Sequence, residues 1–234
     1  MGDIWVNAKK EAWYHQGISI QNGRPSNMDR ILCKEYPSSS GPLLLAAVSD
    51  GVGSAKDGAY AAEYAVRSLA AWLEGVGEMR LGLSLRDRVL QINRELIEIA
   101  QREGLCTAAT LSVLLVLPER YILVHVGDSR VYQIDRTGIS QLTRDNVSHT
   151  GYLTACLGHW EQIAVQYEEG RTDTEGFLLC TDGLYKHLTP EMLEKRLSLE
   201  RERKKRGFLE ALVRYATDQG ETDNISAILI QRKK

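Results

Sequence analysis

The sequence predicts an α+β fold in which antiparallel sheets are covered by helices. Short apolar runs rich in β-forming residues occur in consecutive pairs, as expected of hairpins. Segments with helical spacing come in separate pairs and do not alternate singly with the strands. The resulting order is strands, two helices, strands, two helices and a last strand. This order differs from the strict alternation of a doubly wound parallel sheet and is typical of α+β layers.

The strands are predicted from apolar runs that are bounded by turn residues. The first two runs flank a loop rich in proline, serine and glycine, and the next two are joined by Pro118-Glu119-Arg120. Both pairs are therefore predicted to be hairpins. The predicted strands are 31–36, 43–49, 111–117, 121–126, 130–135, 177–181 and 225–230, with another near Ile163.

Four helices are predicted from spacing and capping signals. In residues 62–73 the apolar side chains recur at the spacing of one buried helix face, and residues 85–99 repeat the pattern. A third helix is predicted to begin at Thr189-Pro190, because a capping hydroxyl precedes a proline in the first helical position and an acid follows. The fourth covers 208–216, where apolar residues again share one face.

Composition limits the classes of protein that are possible. The chain has 234 residues, of which 43% are apolar and 26% charged, and this predicts one domain over 1–234. The net charge of −2 gives no electrostatic case for nucleic acid or a membrane as partner. Residues 1–10 lack the apolar run of a signal peptide, and nowhere does an apolar run reach the roughly 18 residues of a spanning helix.

The cysteines indicate a reducing compartment. They stand at positions 33, 106, 156 and 180, and no two are spaced as a CxxC metal clip. Three of them lie in or beside apolar runs, which is typical of reduced, buried thiols. We therefore expect a cytoplasmic protein without a disulfide framework.

Four aspartates at the ends of apolar strands are the main candidates for chemistry. Asp50 and Asp182 each follow a strand and precede a glycine, Asp128 follows Gly127, and Asp223 precedes the last strand. One Asp-Gly alone would indicate only a turn. A carboxylate beside a buried strand is costly unless it is paired or bound to metal, and lysine or arginine partners do not recur beside these positions. The pattern therefore predicts a shared site for two divalent ions, Mn²⁺ or Mg²⁺.

These aspartates belong to a series of motifs that resembles the protein phosphatase 2C family. The motifs occur in the family's order along nearly the whole chain, and although each is weak alone, the series is specific. They are Arg24-Pro25-Ser26-Asn27-Met28-Asp29, Val48-Ser49-Asp50-Gly51-Val52-Gly53, Thr107-Ala108-Ala109-Thr110-Leu111, Val126-Gly127-Asp128-Ser129-Arg130, Leu179-Cys180-Thr181-Asp182-Gly183 and Asp223-Asn224-Ile225-Ser226.

The resemblance implies a fold and an activity. The fold would be a four-layer αββα sandwich, with two antiparallel sheets between helices. The activity would be that of a metal-dependent serine/threonine phosphoprotein phosphatase, in which two metal ions activate a water that hydrolyses phosphoserine or phosphothreonine. Such an enzyme needs no nucleophilic cysteine or histidine. Its partners would be a phosphoprotein substrate and a cognate serine/threonine kinase or that kinase's targets, as in signal transduction.

The resemblance also assigns roles to residues. Asp50 would bridge both metal ions and the Gly51 carbonyl would bind one of them, while Asp182 and Asp223 would complete the dinuclear site. Asp128 would serve a weaker third ion.

Three further residues receive supporting roles. Arg24 would grip the substrate phosphate with two donors, so that Arg24 and Asp50 are the expected catalytic residues. Asp29 and Asn224 would not bind metal directly but would support the metal ligands through hydrogen bonds.

The chain departs from the family pattern at several positions. Met28 replaces the usual glutamate, which predicts weaker binding of one metal ion. Lys186 stands where an aspartate for the third ion is often found, so that its charge either opposes metal binding or replaces the ion's charge. Val52 replaces a histidine of some eukaryotic members. The segment after Arg144 is short for the flap of the family, which predicts altered substrate selection.

Two other functions remain open at the level of sequence. The departures allow a pseudophosphatase that binds a phosphoprotein without turnover. A basic run at 201–206 and the tail at 232–234 allow a nucleic-acid-binding module, although a solvated helix face explains them more simply at this net charge.

Overall fold

The computed structural model describes residues 3–6, 13–39, 41–75, 81–203 and 207–233. Within these residues the strands form two antiparallel sheets. One sheet has the order β1-β2-β11-β10-β7-β8 and the other β3-β4-β5-β6-β9. The strands are β1 (Asp3–Val6), β2 (Trp13–Ile20), β3 (Arg30–Tyr36), β4 (Leu43–Ser49), β5 (Leu111–Val116), β6 (Arg120–Val126), β7 (Arg130–Ile134), β8 (Ile139–Gln141), β9 (Gln166–Arg171), β10 (Gly176–Cys180) and β11 (Ile225–Arg232).

Helices cover the outer face of each sheet. The helices are α1 (Gly58–Gly75), α2 (Leu81–Glu103), α3 (Asp182–Tyr185), α4 (Pro190–Arg203) and α5 (Phe208–Asp218). Leu69 of α1 and Leu85 of α2 are buried in one core with the five-stranded sheet, and Leu212 of α5 lies in another core with the six-stranded sheet. A third core, which includes Leu114 and Phe177, lies between the sheets. The four-layer αββα sandwich is therefore confirmed.

The antiparallel register brings four strand ends to one edge of the sandwich. β4 and β6 both pair with β5, so they run in the same direction and end on the same side. In the other sheet Cys180 at the end of β10 lies opposite Ala227 near the start of β11. Asp50, Asp128, Asp182 and Asp223 follow or precede these strand ends and therefore project from the same edge.

The predicted elements are confirmed, with bounds that shift by a few residues. Both hairpins form, since β3 pairs with β4 and β5 pairs with β6. The strand predicted near Ile163 corresponds to β9, which begins three residues later at Gln166. Sequence reasoning also missed β1, β2, β8 and the single turn α3. β9 carries three charged residues and pairs only with β6 at the sheet edge, so it lacks the apolar signal that marks buried strands.

Some sequence predictions fall where the structure gives only part of the chain. In the basic run, residues 204–206 lie outside the described residues, as does most of the stretch 1–10. No helix within the described ranges is both long and apolar enough to cross a membrane.

A buried polar network lies between β5, β6 and β7, directly behind the strand ends. The His125 Nδ1 atom is 2.8 Å from the Ser112 hydroxyl, and Nε2 is 3.2 Å from the Arg144 carbonyl oxygen. The Ser112 hydroxyl also lies 2.7 Å from the Ser129 carbonyl oxygen. Burial is the main cause that lowers the pKa of His125 from 6.5 to about 4, although the Arg144 carbonyl and Asp145 oppose it. The side chain is therefore neutral near pH 7.

This shift predicts a loss of stability in mild acid. Between pH 6.5 and 4 the unfolded chain binds a proton at His125 that the folded chain does not, so the free energy of unfolding falls across this window. The loss from this residue reaches about 3 kcal/mol below pH 4. Urea unfolding at several pH values, compared between wild type and His125→Gln, measures it. Carboxyl groups with raised pKa values change the stability in the opposite direction, but they do so equally in both proteins. The difference in unfolding free energy between wild type and variant therefore isolates the effect of His125. Equal pH profiles for the two proteins would contradict a lowered pKa for His125.

Candidate active site

The four aspartates meet at a single cavity of about 400 Å³ at the edge of the sandwich. Asp50, Asp128, Asp182 and Asp223 all line it, and so does Arg24. These residues come from four separate strand ends and one loop, as the sequence predicted. Gly51, Val52 and Met28 also line the cavity, which places the predicted departures from the family pattern at the same site.

The Asp50-Gly51 turn is fixed by the neighbouring strand and by helix α1. The Asp50 amide donates to the Thr110 hydroxyl at 3.0 Å, and the Thr110 amide donates to the Asp50 carbonyl oxygen at 2.8 Å. A Cβ atom at Gly51 would lie 2.6 Å from the Gly58 carbonyl carbon at the start of α1. Only glycine therefore fits the turn, whose backbone packs directly against the start of α1.

Asp128 follows Gly127, whose φ of 108° is accessible mainly to glycine. The position is stabilised by backbone contacts, because the Tyr185 hydroxyl donates to the Asp128 carbonyl oxygen at 3.0 Å. The Tyr185 ring in turn packs against the guanidinium of Arg130, 3.7 Å from the ring centre. Arg130 is paired with Asp145 at 2.7 Å, so this arginine holds the wall of the site and is not free for substrate.

Asp182 begins the single helical turn α3 and is paired with a lysine. Its Oδ2 atom lies 2.6 Å from Lys186 Nζ, one turn later. Its Oδ1 atom is buried and has no hydrogen-bond partner. Behind it, the Thr181 hydroxyl donates to Asp29 Oδ2 at 2.9 Å, while Asp29 Oδ1 is also buried without a partner.

Asp223 is held by Arg24 in a two-donor ion pair. Arg24 Nε lies 2.8 Å from Oδ1, and Arg24 Nη2 lies 2.8 Å from Oδ2. The expectation that lysine and arginine do not partner these aspartates is therefore wrong for Asp182 and Asp223. The cation that pairs with Asp182 lies on the same helical turn, whereas the cation that pairs with Asp223 comes from a loop that is distant in sequence. The sequence beside Asp223 therefore does not reveal its ion pair.

Asn224 connects the same two chain segments as the ion pair between Arg24 and Asp223. Its amide nitrogen donates to the carbonyl oxygens of Gln21 and Ser26 at 2.8 and 2.9 Å. Its Oδ1 atom accepts from the Met28 amide at 2.9 Å. Asn224 is buried and thus closes the loop that carries Arg24.

Asp50, Asp29 and Asp128 are not in an ion pair of this kind with any residue that the structure describes, and their pKa values are raised. Burial, followed by the charges of the neighbouring aspartates, raises the pKa of Asp50 well above its usual range. Burial likewise raises the pKa of Asp29 to about 7 and that of Asp128 to about 6. Burial also acts to raise the pKa of Asp223, but Arg24 and the Asn224 amide outweigh it and the net shift is downward.

This donor set fits divalent metal ions. Crowded carboxylates, two of them with an unpartnered buried oxygen, supply the hard ligands that Mn²⁺ and Mg²⁺ prefer. Within the described part of the chain, no group of three histidine, cysteine, aspartate or glutamate side chains is gathered closely enough to hold one ion. The carboxylates of Asp182 and Asp223 are instead engaged by Lys186 and Arg24.

The segment between β8 and β9 forms the opposite wall of the cavity. Tyr152, His159 and Trp160 line it, and Tyr152 is 76% exposed. The buried Asn93 of α2 fixes this wall, because it donates to the Trp160 carbonyl oxygen and accepts from the Gly158 amide, both at 2.8 Å. Altered substrate selection by this short flap stays a prediction.

Sequence reasoning missed several residues that shape the site. Lys186 was noted as a departure, but its contact with Asp182 was not predicted, although the spacing of four residues on a helical turn was a usable signal. Tyr185 and Asn93 gave no signal, because they act through backbone groups that are distant in sequence.

An αββα sandwich with a carboxylate-lined cavity at one edge defines a class of candidate metal-dependent hydrolases. The sequence profile of the protein phosphatase 2C family matches residues 19–230, and the chain belongs to this family. The resemblance inferred from the motifs is thereby confirmed, and so is the enzyme class, that of the protein phosphatases.

Two named phosphatases are similar to the chain in sequence, and a solved phosphatase structure is similar to it in fold. The serine/threonine phosphatase Stp of Listeria monocytogenes is 26% identical over 213 residues, which cover 79% of this chain and 83% of that protein. Protein phosphatase PhpP of Streptococcus pneumoniae is 27% identical over 234 residues, covering 88% and 92%. The crystal structure of the serine/threonine phosphatase Stp1 from Staphylococcus aureus has a TM-score of 0.81 at 21% identity, covering 94% and 95%, and shows the same fold.

Proposed function

We propose that this protein is a metal-dependent phosphatase that removes phosphate from phosphoserine or phosphothreonine in a phosphoprotein, in the cytoplasm and opposite a serine/threonine kinase. The observation that carries the proposal is the convergence of four strand-end aspartates on one cavity beside Arg24. The names of the relatives support the substrate class. The net charge of −2 gives no support for nucleic acid or a membrane as partner.

In this proposal the chain's own residues bind and orient. Asp50, the Gly51 carbonyl, Asp182 and Asp223 hold the Mn²⁺ or Mg²⁺ pair, while Asp29 and Asn224 fix the surrounding backbone. When bound, such a pair supplies a nucleophilic water near neutral pH and neutralises phosphate charge. Arg24 is paired with Asp223, and with a metal ion compensating the charge of Asp223 its guanidinium would be available to grip two phosphate oxygens.

Arg24 provides a direct test. Arg24→Ala is expected to lower kcat/KM for a phosphothreonine peptide by roughly a hundredfold, because a two-donor contact to phosphate is lost. Arg24→Lys should recover little of it, since an ammonium cannot form both bonds. Steady-state kinetics at saturating Mn²⁺ measure the effect. Arg120→Ala is the matched control, because Arg120 is similarly exposed, 50% against 47%, and is also paired with a carboxylate at 2.8 Å.

Chelation separates the phosphatase from the pseudophosphatase. The phosphatase loses turnover in excess EDTA and regains it with Mn²⁺. Binding of the phosphopeptide without turnover at millimolar Mn²⁺ would instead show that the protein is a pseudophosphatase. This alternative remains open because Met28 replaces the usual glutamate. Salt-sensitive binding of DNA or RNA would contradict both.

A further inference from the structure

One lysine contacts two carboxylates of the candidate metal site. Lys186 Nζ lies 2.6 Å from Asp182 Oδ2 and 3.8 Å from Asp223 Oδ2. It also acts on Asp128, where its charge opposes the rise in pKa that burial and Asp182 cause. Its side chain is 46% exposed, so the ammonium approaches the aspartates from the solvent side.

The backbone fixes this position. The Lys186 amide donates to the Asp182 carbonyl oxygen at 3.0 Å, which closes the turn of α3 and places the two side chains on the same face. The adjacent Tyr185 is itself bonded to the Asp128 backbone. The ammonium thus lies between the aspartate that follows β10 and the one that precedes β11, and its charge also acts on Asp128.

The charge of the site indicates how many ions it can hold. Five aspartates gather here with two cationic side chains, Arg24 and Lys186, which leaves three uncompensated negative charges when all are ionised. Two divalent ions carry one positive charge more than is needed to balance these three negative charges. The resulting net positive charge suits the binding of a phosphate dianion. A third ion would add two more positive charges close to an ammonium, and the repulsion between these charges disfavours its binding.

We propose that the ammonium of Lys186 is a built-in cation of this site, which limits it to two divalent ions and leaves Asp128 without an ion of its own. Lys186 is thus a positioning residue, because it holds one oxygen of Asp182 and leaves the other free for metal. The inference rests on the proposed function, since it requires that the aspartates bind metal. It replaces the weak third ion that the resemblance implied.

Metal stoichiometry tests the inference without measuring activity. Equilibrium dialysis with elemental analysis and calorimetric titration with Mn²⁺ should give two ions per wild-type chain. Lys186→Asp should bind a third, weaker ion. Lys186→Met should bind two ions, with the weaker of them held about tenfold more tightly because a competing charge is removed. Lys34→Met is the matched control, since Lys34 is 45% exposed and pairs at 2.5 Å with Glu74, a carboxylate that does not line the cavity; it should leave binding unchanged.

The outcomes separate this inference from the proposed function. Three ions in the wild type, or only two in a folded Lys186→Asp, would overturn the inference and leave the phosphatase proposal intact. Wild-type protein that binds no Mn²⁺ would overturn both. If Lys186→Asp does not fold, as judged by its melting curve in EDTA, the affinity of Lys186→Met decides, and a value equal to wild type contradicts the inference.

Discussion

Asp50→Asn is expected to abolish phosphatase activity and to raise the melting temperature of the metal-free protein. The activity should fall at least about a thousandfold, because a carboxylate that would hold the metal pair is lost, and with it the nucleophilic water that the pair would supply. The metal-free fold should gain stability, because burial and four neighbouring aspartates disfavour the ionised form of Asp50. An amide of the same shape removes this repulsion.

Two measurements on the same samples check this pair of effects. Phosphopeptide hydrolysis is followed at saturating Mn²⁺, and thermal melts are recorded in EDTA at pH 7.5. Asp87→Asn, on the exposed face of α2, is the control for replacing a carboxylate outside the site. A variant that keeps substantial activity, or one that melts below wild type in EDTA, would contradict the placement of Asp50 in a crowded metal site.

Asn224→Ala should have the second largest effect, and on two properties at once. The change removes three partly buried hydrogen bonds, to the Gln21 and Ser26 carbonyl oxygens and from the Met28 amide. We expect the free energy of unfolding to fall by roughly 3 kcal/mol, since these backbone groups are left without partners. We also expect kcat/KM to fall by about tenfold to a hundredfold, because the loop no longer presents Arg24 accurately.

A matched pair of variants separates stability from positioning. Asn224→Asp keeps the acceptor for Met28 and loses both donors, so it should resemble Asn224→Ala. Thr174→Val removes a buried hydrogen bond of 2.7 Å to the Ile134 carbonyl oxygen, at the end of β7 remote from Asp128. It should lower the free energy of unfolding by about 1 kcal/mol without changing kcat/KM. A normal kcat/KM in both Asn224 variants would exclude a positioning role.

Local sequence predicted those parts of the site that depend on local structure. Asp50 and Asp182 were found because each ends an apolar strand and is followed by glycine, and both signals lie within a few residues. The antiparallel hairpins then imply that alternate strand ends meet at one edge. Edge strand β9 was placed only approximately, because its residues are mostly polar and its position is fixed by pairing with β6.

The contacts between distant segments could be known only from the folded chain. Arg24 meets Asp223 across 199 residues, Asn224 reaches back to Gln21 across 203, and Asn93 fixes the Trp160 backbone across 67. Periodicity and turn chemistry act within a few residues, so the amino-acid order alone predicted the apolar strands, the four longer helices and the four strand-end aspartates. Packing settled which cations neutralise them, because that depends on distances of a few ångströms set by two sheets and their helices together.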